Sequence, residues 1–154
     1  MRFIFAILFL SILFQKCKDS PKVISQKGIT KLDLNYAFPL RGIYYSLVFS
    51  AGDTVYVRDF GPLQKDTSFL AILTRDDRSK IDDFVNALNL SSLDSSYDSG
   101  SFDGDEYHLR ISKNDTLKTI DIRGGGVPAE LISLIEYTTG LKERLSKHHQ
   151  EKNN

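Results

Sequence analysis

The sequence predicts an α+β protein: an antiparallel sheet of four to six strands with two helices on one face, in the order β-β-β-α-β-β-α. Three observations carry that expectation. Short alternating runs come in two pairs, Tyr44–Ser50 with Thr54–Phe60 and Tyr107–Ser112 with Thr116–Arg123, each pair joined by a turn signal. Two later segments repeat apolar residues at helical spacing. Ten Phe and seven Tyr, with no Trp, supply strand formers and core volume.

In chain order, Ile29 to Phe38 predicts an edge strand, because Leu32, Leu34, Tyr36 and Phe38 alternate with polar or small residues. Ala51-Gly52-Asp53 turns the first hairpin, and Gly61-Pro62 ends it. Ser68 to Thr74 is a third strand or a short apolar helix. Ser79-Lys80-Ile81-Asp82 reads as a capping box, after which Ile81, Phe84, Val85 and Leu88 share one helical face and Asn89 stops the helix. Ser91 to Glu106 is polar and small, and predicts an exposed loop. Asn114-Asp115 turns the second hairpin. Gly124-Gly125-Gly126 breaks its last strand, and Pro128 suits the first turn of a second helix. Leu131, Leu134, Ile135, Leu141 and Leu145 form that helix's apolar stripe, which Gly140 weakens by up to about 1 kcal/mol relative to Ala. Both stripes are buried if both helices cover the same face of the sheet.

The N-terminus predicts location. Arg2 precedes an apolar run from Phe3 to Phe14, and the chain's single cysteine, Cys17, follows directly after Gln15-Lys16. A run of that length spans about 18 Å as a helix, short of the roughly 30 Å of a bilayer core. The pattern resembles a bacterial lipoprotein signal, which implies cleavage and a diacylglycerol on Cys17. Phe14 and Lys16 depart from the Leu and small residue such signals usually carry at those places. An ordinary signal peptide with an incidental cysteine, or an uncleaved anchor, are the alternatives. Lys18-Asp19-Ser20-Pro21 resembles the export tether of surface lipoproteins of the Bacteroidetes. The whole chain resembles small lipoproteins of that type. The resemblance implies a signal over 1–16, a lipidated cysteine and tether over 17–40, one α+β domain over 41–147 and a disordered tail over 148–154. It also implies an outer-membrane location, on the periplasmic or the outer side, with the lipid holding the membrane. It carries no catalytic residues.

Composition narrows the function classes. The chain holds 20 basic and 20 acidic residues. Removing residues 1–16 takes away Arg2 and Lys16 and leaves a net charge of −2, so nothing drives the chain towards nucleic acid. One cysteine forbids an intrachain disulfide. No nucleophile–histidine motif and no zinc-binding spacing occurs.

Asp94, Asp98, Asp103, Asp105 and Glu106 are hard oxygen ligands in one stretch, but no register satisfies an EF-hand loop, so a solvated loop is expected and no metal or other cofactor. The triple glycine lacks the lysine and hydroxyl of a phosphate loop, and reads as a turn of permissive φ. His108 falls on the polar side of its strand, where Asp121 or Glu106 makes it a candidate general base. Tyr44 and Tyr56 stand exposed beside Arg58 if helices cover only one face.

The binding candidates are therefore Tyr44, Tyr56, Arg58, Asp98, Asp103 and Asp105, and the expected function is a noncatalytic binding module with an envelope or cell-surface protein as partner. The alternatives are an envelope hydrolase or metal-dependent enzyme built on His108 and the acidic loop, and an inhibitor of an extracellular enzyme.

Overall fold

The computed structural model describes residues 31–62, 65–100 and 104–153. Cys17, the signal and most of the expected tether lie outside them, as does Asp103. The elements run β1 (Lys31–Phe38), a 3-10 turn (Pro39–Arg41), β2 (Ile43–Phe49), β3 (Thr54–Phe60), β4 (Thr67–Ile72), α1 (Arg75–Ala87), β5 (Ser96–Asp98), β6 (Glu106–Lys113), β7 (Thr116–Arg123) and α2 (Ala129–Asn153). The α+β class holds. The sheet has seven strands in the spatial order β4-β3-β2-β1-β6-β7-β5. It is mixed, because β5 pairs with β7 in parallel while every other pair is antiparallel.

One face of the sheet forms the core with both helices. Leu32, Leu34, Leu47, Val55, Val57, Leu109, Ile111 and Ile120 come from the strands, and Ile81, Leu131 and Leu134 from the helices, all wholly buried. Polar contacts fix each helix over that face. Lys113 Nζ on β6 donates to the carbonyls of Val85 and Asn86, both at 3.2 Å, and so caps the C-terminus of α1. Lys142 on α2 pairs with Asp59 on β3 at 2.6 Å and lies over the Tyr45 ring.

Five expectations need correction. β1 is the central strand, not an edge, and the domain begins inside the segment read as tether. A central antiparallel strand with one wet face alternates as an edge strand does, so alternation alone does not rank strands across a sheet. α1 starts four residues before Ser79. Its cap is Thr74, whose Oγ1 accepts from the Asp77 N–H at 3.1 Å, with Asp76 and Asp77 in the first turn favouring the helix dipole. The stretch Ser91–Glu106 is not all exposed loop: Leu93 and Tyr97 are buried, and β5 adds to the sheet. The sheet has one strand more than the upper expected number as a result. Finally, α2 continues through the expected disordered tail to Asn153, because the His149 ring stacks on Phe69 of β4 at 4.1 Å and docks the last turns.

The second hairpin follows its turn chemistry. Asn114 and Asp115 both take positive φ (49° and 61°), the geometry of a two-residue turn matching strand twist, and Lys113 pairs with Thr116. That register places His108 opposite Asp121. The glycine triplet is a strand-to-helix turn that uses glycine's permissive φ: Gly124 and Gly126 sit at φ of 135° and 81°.

Candidate functional site

Among the described residues no helix covers the sheet face opposite α1 and α2, and alternation sends a second set of side chains to it. Across β3, β2, β1, β6 and β7 one row reads Phe60, Tyr44, Ala37, Glu106 and Arg123, and the next reads Arg58, Ser46, Asn35, His108 and Asp121. A shallow depression of about 310 Å³ lies in these rows, with Asn35 and Ala37 as its floor. One wall is aromatic, Tyr44 stacked on Phe60 at 5.9 Å between ring centroids. The other wall is charged. His108 Nδ1 and Asp121 Oδ1 are 2.5 Å apart, and Arg123 lies 3.8 Å from Glu106.

The aromatic wall is held from behind. Gly61 has a φ of 141°, and a Cβ there would come within 2.7 Å of the Tyr44 ring. A side chain at 61 would push Tyr44 off Phe60. Arg58 reaches over the Phe60 ring and pairs with Asp66 through two hydrogen bonds, at 3.2 and 2.7 Å. The hydrogen-bonded pairing holds the Asp66 carboxyl below its ordinary range and the Arg58 guanidinium above its own. Tyr56 stands one row further on, beside Val48 and Leu70, and is exposed.

The six binding candidates divide. Tyr44, Tyr56 and Arg58 share the open face within adjacent rows. Asp98, at the end of β5, accepts from the Gly100 N–H at 2.8 Å and so shapes its own turn. Asp105 faces the other way: it accepts from the Tyr36 hydroxyl at 2.6 Å, at the end of the core face. There Tyr36, Tyr45 and Tyr107 form a cluster, with Tyr36 4.7 Å from Tyr45 and 5.1 Å from Tyr107. Burial, reinforced by Asp105, raises all three hydroxyls, Tyr107 to about 12, so each stays protonated in the working range. The acidic stretch therefore diverges, and among the described residues no three His, Cys, Asp or Glu side chains converge on a metal position.

The sequence names His108 with Asp121 or Glu106, but not Phe60, Asn35, Ala37 or the pairing of Glu106 with Arg123 as parts of the same surface. They join it only through β1, which brings β2 beside β6. Among the described residues no helix is long and apolar enough to cross a membrane. No protein-family model and no curated protein sequence matches the chain.

Proposed function

We propose that the chain is an envelope lipoprotein, held in the outer membrane through a lipid on Cys17, whose domain is a noncatalytic binding module. Its contact surface is the uncovered face of the sheet, centred on the depression between Tyr44–Phe60 and His108–Asp121. One observation supports this above the rest: both described α-helices lie on the opposite face, while the open face carries rigid aromatic groups beside ion pairs. Tyr and Arg in such a setting provide large contact area and directional hydrogen bonds with little side-chain freedom to lose. The fitting partner is an envelope or cell-surface protein, and the net charge of −2 expected after cleavage gives nucleic acid no electrostatic drive to bind.

The test is site-directed photocrosslinking of the full chain in its own host. A photoreactive residue at Tyr56 or Asp121 gives a discrete protein adduct, and one at exposed Glu143 on α2 gives none. Adducts from Glu143 alone, or none from either sheet position, refute the assignment.

A second reading rests on the His108–Asp121 contact. A carboxylate on Nδ1 orients a histidine as it is oriented in acid–base catalysis, with Nε2 left for a substrate. On that reading the depression hydrolyses an envelope substrate. Hydrolysis of activated esters by the purified chain, lost in both His108→Ala and Asp121→Ala, establishes it; no hydrolysis above buffer removes it.

A further inference from the structure

We propose that the outer edge of β4, with which no described strand pairs, accepts an extended segment of a partner protein, alternating apolar and acidic residues, as an added strand of the sheet. This site is separate from the depression on the open face.

Among the described strands the two edges of the sheet are β4 and β5, and they are built differently. Exposed strand edges invite pairing, and proteins that avoid it use short edge strands, charges, prolines or bulges. β5 fits that description: it spans Ser96–Asp98 and ends in an aspartate. β4 does not. It runs Thr67–Ile72 with no charged residue, no proline, no glycine and an unbroken register against β3.

The direction of its backbone groups follows from the ladder. Leu73 N donates to Asp53 O at 2.7 Å, which makes 73 and 53 a hydrogen-bonded pair. Such pairs alternate in an antiparallel ladder, so Phe69 and Ala71 bond inward to β3, and Ser68, Leu70 and Ile72 turn their N–H and C=O groups outward.

The side chains specify the guest. On the open face Leu70 and Ile72 are 70 % and 81 % exposed, the two most exposed large apolar side chains among the described residues. On the helix side a groove of about 290 Å³ separates β4 from the last turns of α2. Phe69 and Leu145 line it together with His148, His149 and Lys152, and among the described residues no acidic side chain does. An added strand sends successive side chains to opposite faces. Those beside Leu70 and Ile72 meet apolar surface, and those entering the groove meet basic groups. Alternating apolar and acidic residues satisfy both faces. A second copy of β4 does not, since twofold pairing brings His148 and Lys152 of both copies to one junction.

The probe is a fluorescein-labelled octapeptide of alternating Val and Glu, titrated against the full chain and followed by polarisation, with the alternating Val and Lys octapeptide as control. The Val–Glu peptide binds saturably and the Val–Lys peptide does not. Leu70→Pro removes one outward N–H while leaving the bonds to β3, and weakens binding about tenfold or more. Lys152→Glu, on the exposed end of α2 and unable to disturb the sheet, weakens it similarly. The proposal is overturned if the Val–Glu peptide does not bind, or if it binds both variants as tightly as the parent chain. Concentration-dependent dimerisation by light scattering, abolished by Leu70→Pro, also overturns it, in favour of a second copy as occupant.

Discussion

Replacing Asp77 by Asn tests how the two helices are joined. Asp77 is the third residue of α1, and its carboxylate holds three partners, two on α2 and one at the cap of α1. Oδ1 accepts from the Tyr137 hydroxyl at 2.6 Å and from Arg144 at 2.9 Å, both on α2, and Oδ2 accepts from Thr74 at 2.7 Å. Burial opposes the charge, but Tyr137, Thr74 and Arg144 together outweigh it and hold the carboxyl below its ordinary range. The Tyr137 hydroxyl, raised to about 12 by its own burial and by Asp77, stays protonated and donating.

A half-buried hydrogen bond to a charged group contributes about 1.5–3 kcal/mol, the helix-start position a few tenths more, and the exposed Arg144 pair at most about 1 kcal/mol. Asn keeps part of the hydrogen bonding, so the expected loss is about 2 kcal/mol, a fall in Tm of roughly 10 °C for a domain of this size. The sign with pH is fixed. A depressed carboxyl stabilises the fold above its unfolded pKa, and that contribution disappears as pH falls through the lower folded value. The gap between parent and Asp77→Asn therefore closes as pH falls through and below the ordinary carboxylate range. Urea unfolding at several pH values measures it. A gap that is flat over that range, or a loss under about 0.5 kcal/mol at pH 7, refutes the account of Asp77 as the joint between α1 and α2.

Three further outcomes are expected. Leu34→Ala, in the middle of β1, costs about 2–5 kcal/mol by urea unfolding, and β1 amides are among the slowest to exchange; fast exchange there contradicts a central strand. Gly124→Ala costs about 2 kcal/mol or more, because φ is 135° and the new Cβ lies 2.6 Å from Ser99 Cβ, whereas Gly125→Ala, with nothing within 4 Å, stays within about 0.5 kcal/mol. The N-terminal peptide of membrane-extracted protein from its own host carries a diacylglycerol on Cys17; an unmodified thiol there removes the lipid anchor and leaves the binding surface to be judged alone.

What the sequence made legible was local. Both hairpins announce themselves through alternation and a turn whose residues tolerate the required dihedrals, and Asn114-Asp115 even sets the register that brings His108 to Asp121. The helix stripes were readable for the same reason, since residues three and four apart share a face. Helix ends were not, because Thr74 and Ser79 each offer a hydroxyl ahead of an apolar repeat, and only the packing of Asp77 against Tyr137 and Arg144 selects Thr74. The last turns of α2 carry polar residues that read as a tail. They are helical because His149 finds Phe69, a residue eighty positions earlier.

The candidate site was illegible for a topological reason. Tyr44 and Glu106 are sixty-two residues apart, Tyr44 in the first hairpin and Glu106 at the start of the second, one residue before the alternation becomes legible. Nothing within either hairpin says that the two lie side by side. That follows from β1 pairing with β2 on one side and β6 on the other, Ala37 standing opposite both Tyr44 and Glu106. A small residue at that one position leaves room between an aromatic wall and a charged wall, and so converts two solvated hairpin faces into one depression. Ala37→Leu should therefore fill the floor without touching the core, since its side chain lies on the open face, and should leave the unfolding midpoint nearly unchanged while abolishing crosslinking from Asp121. If the midpoint is preserved and the adduct persists, the depression is not where the partner docks, and the contact must be sought among Tyr56, Arg58 and the β4 edge.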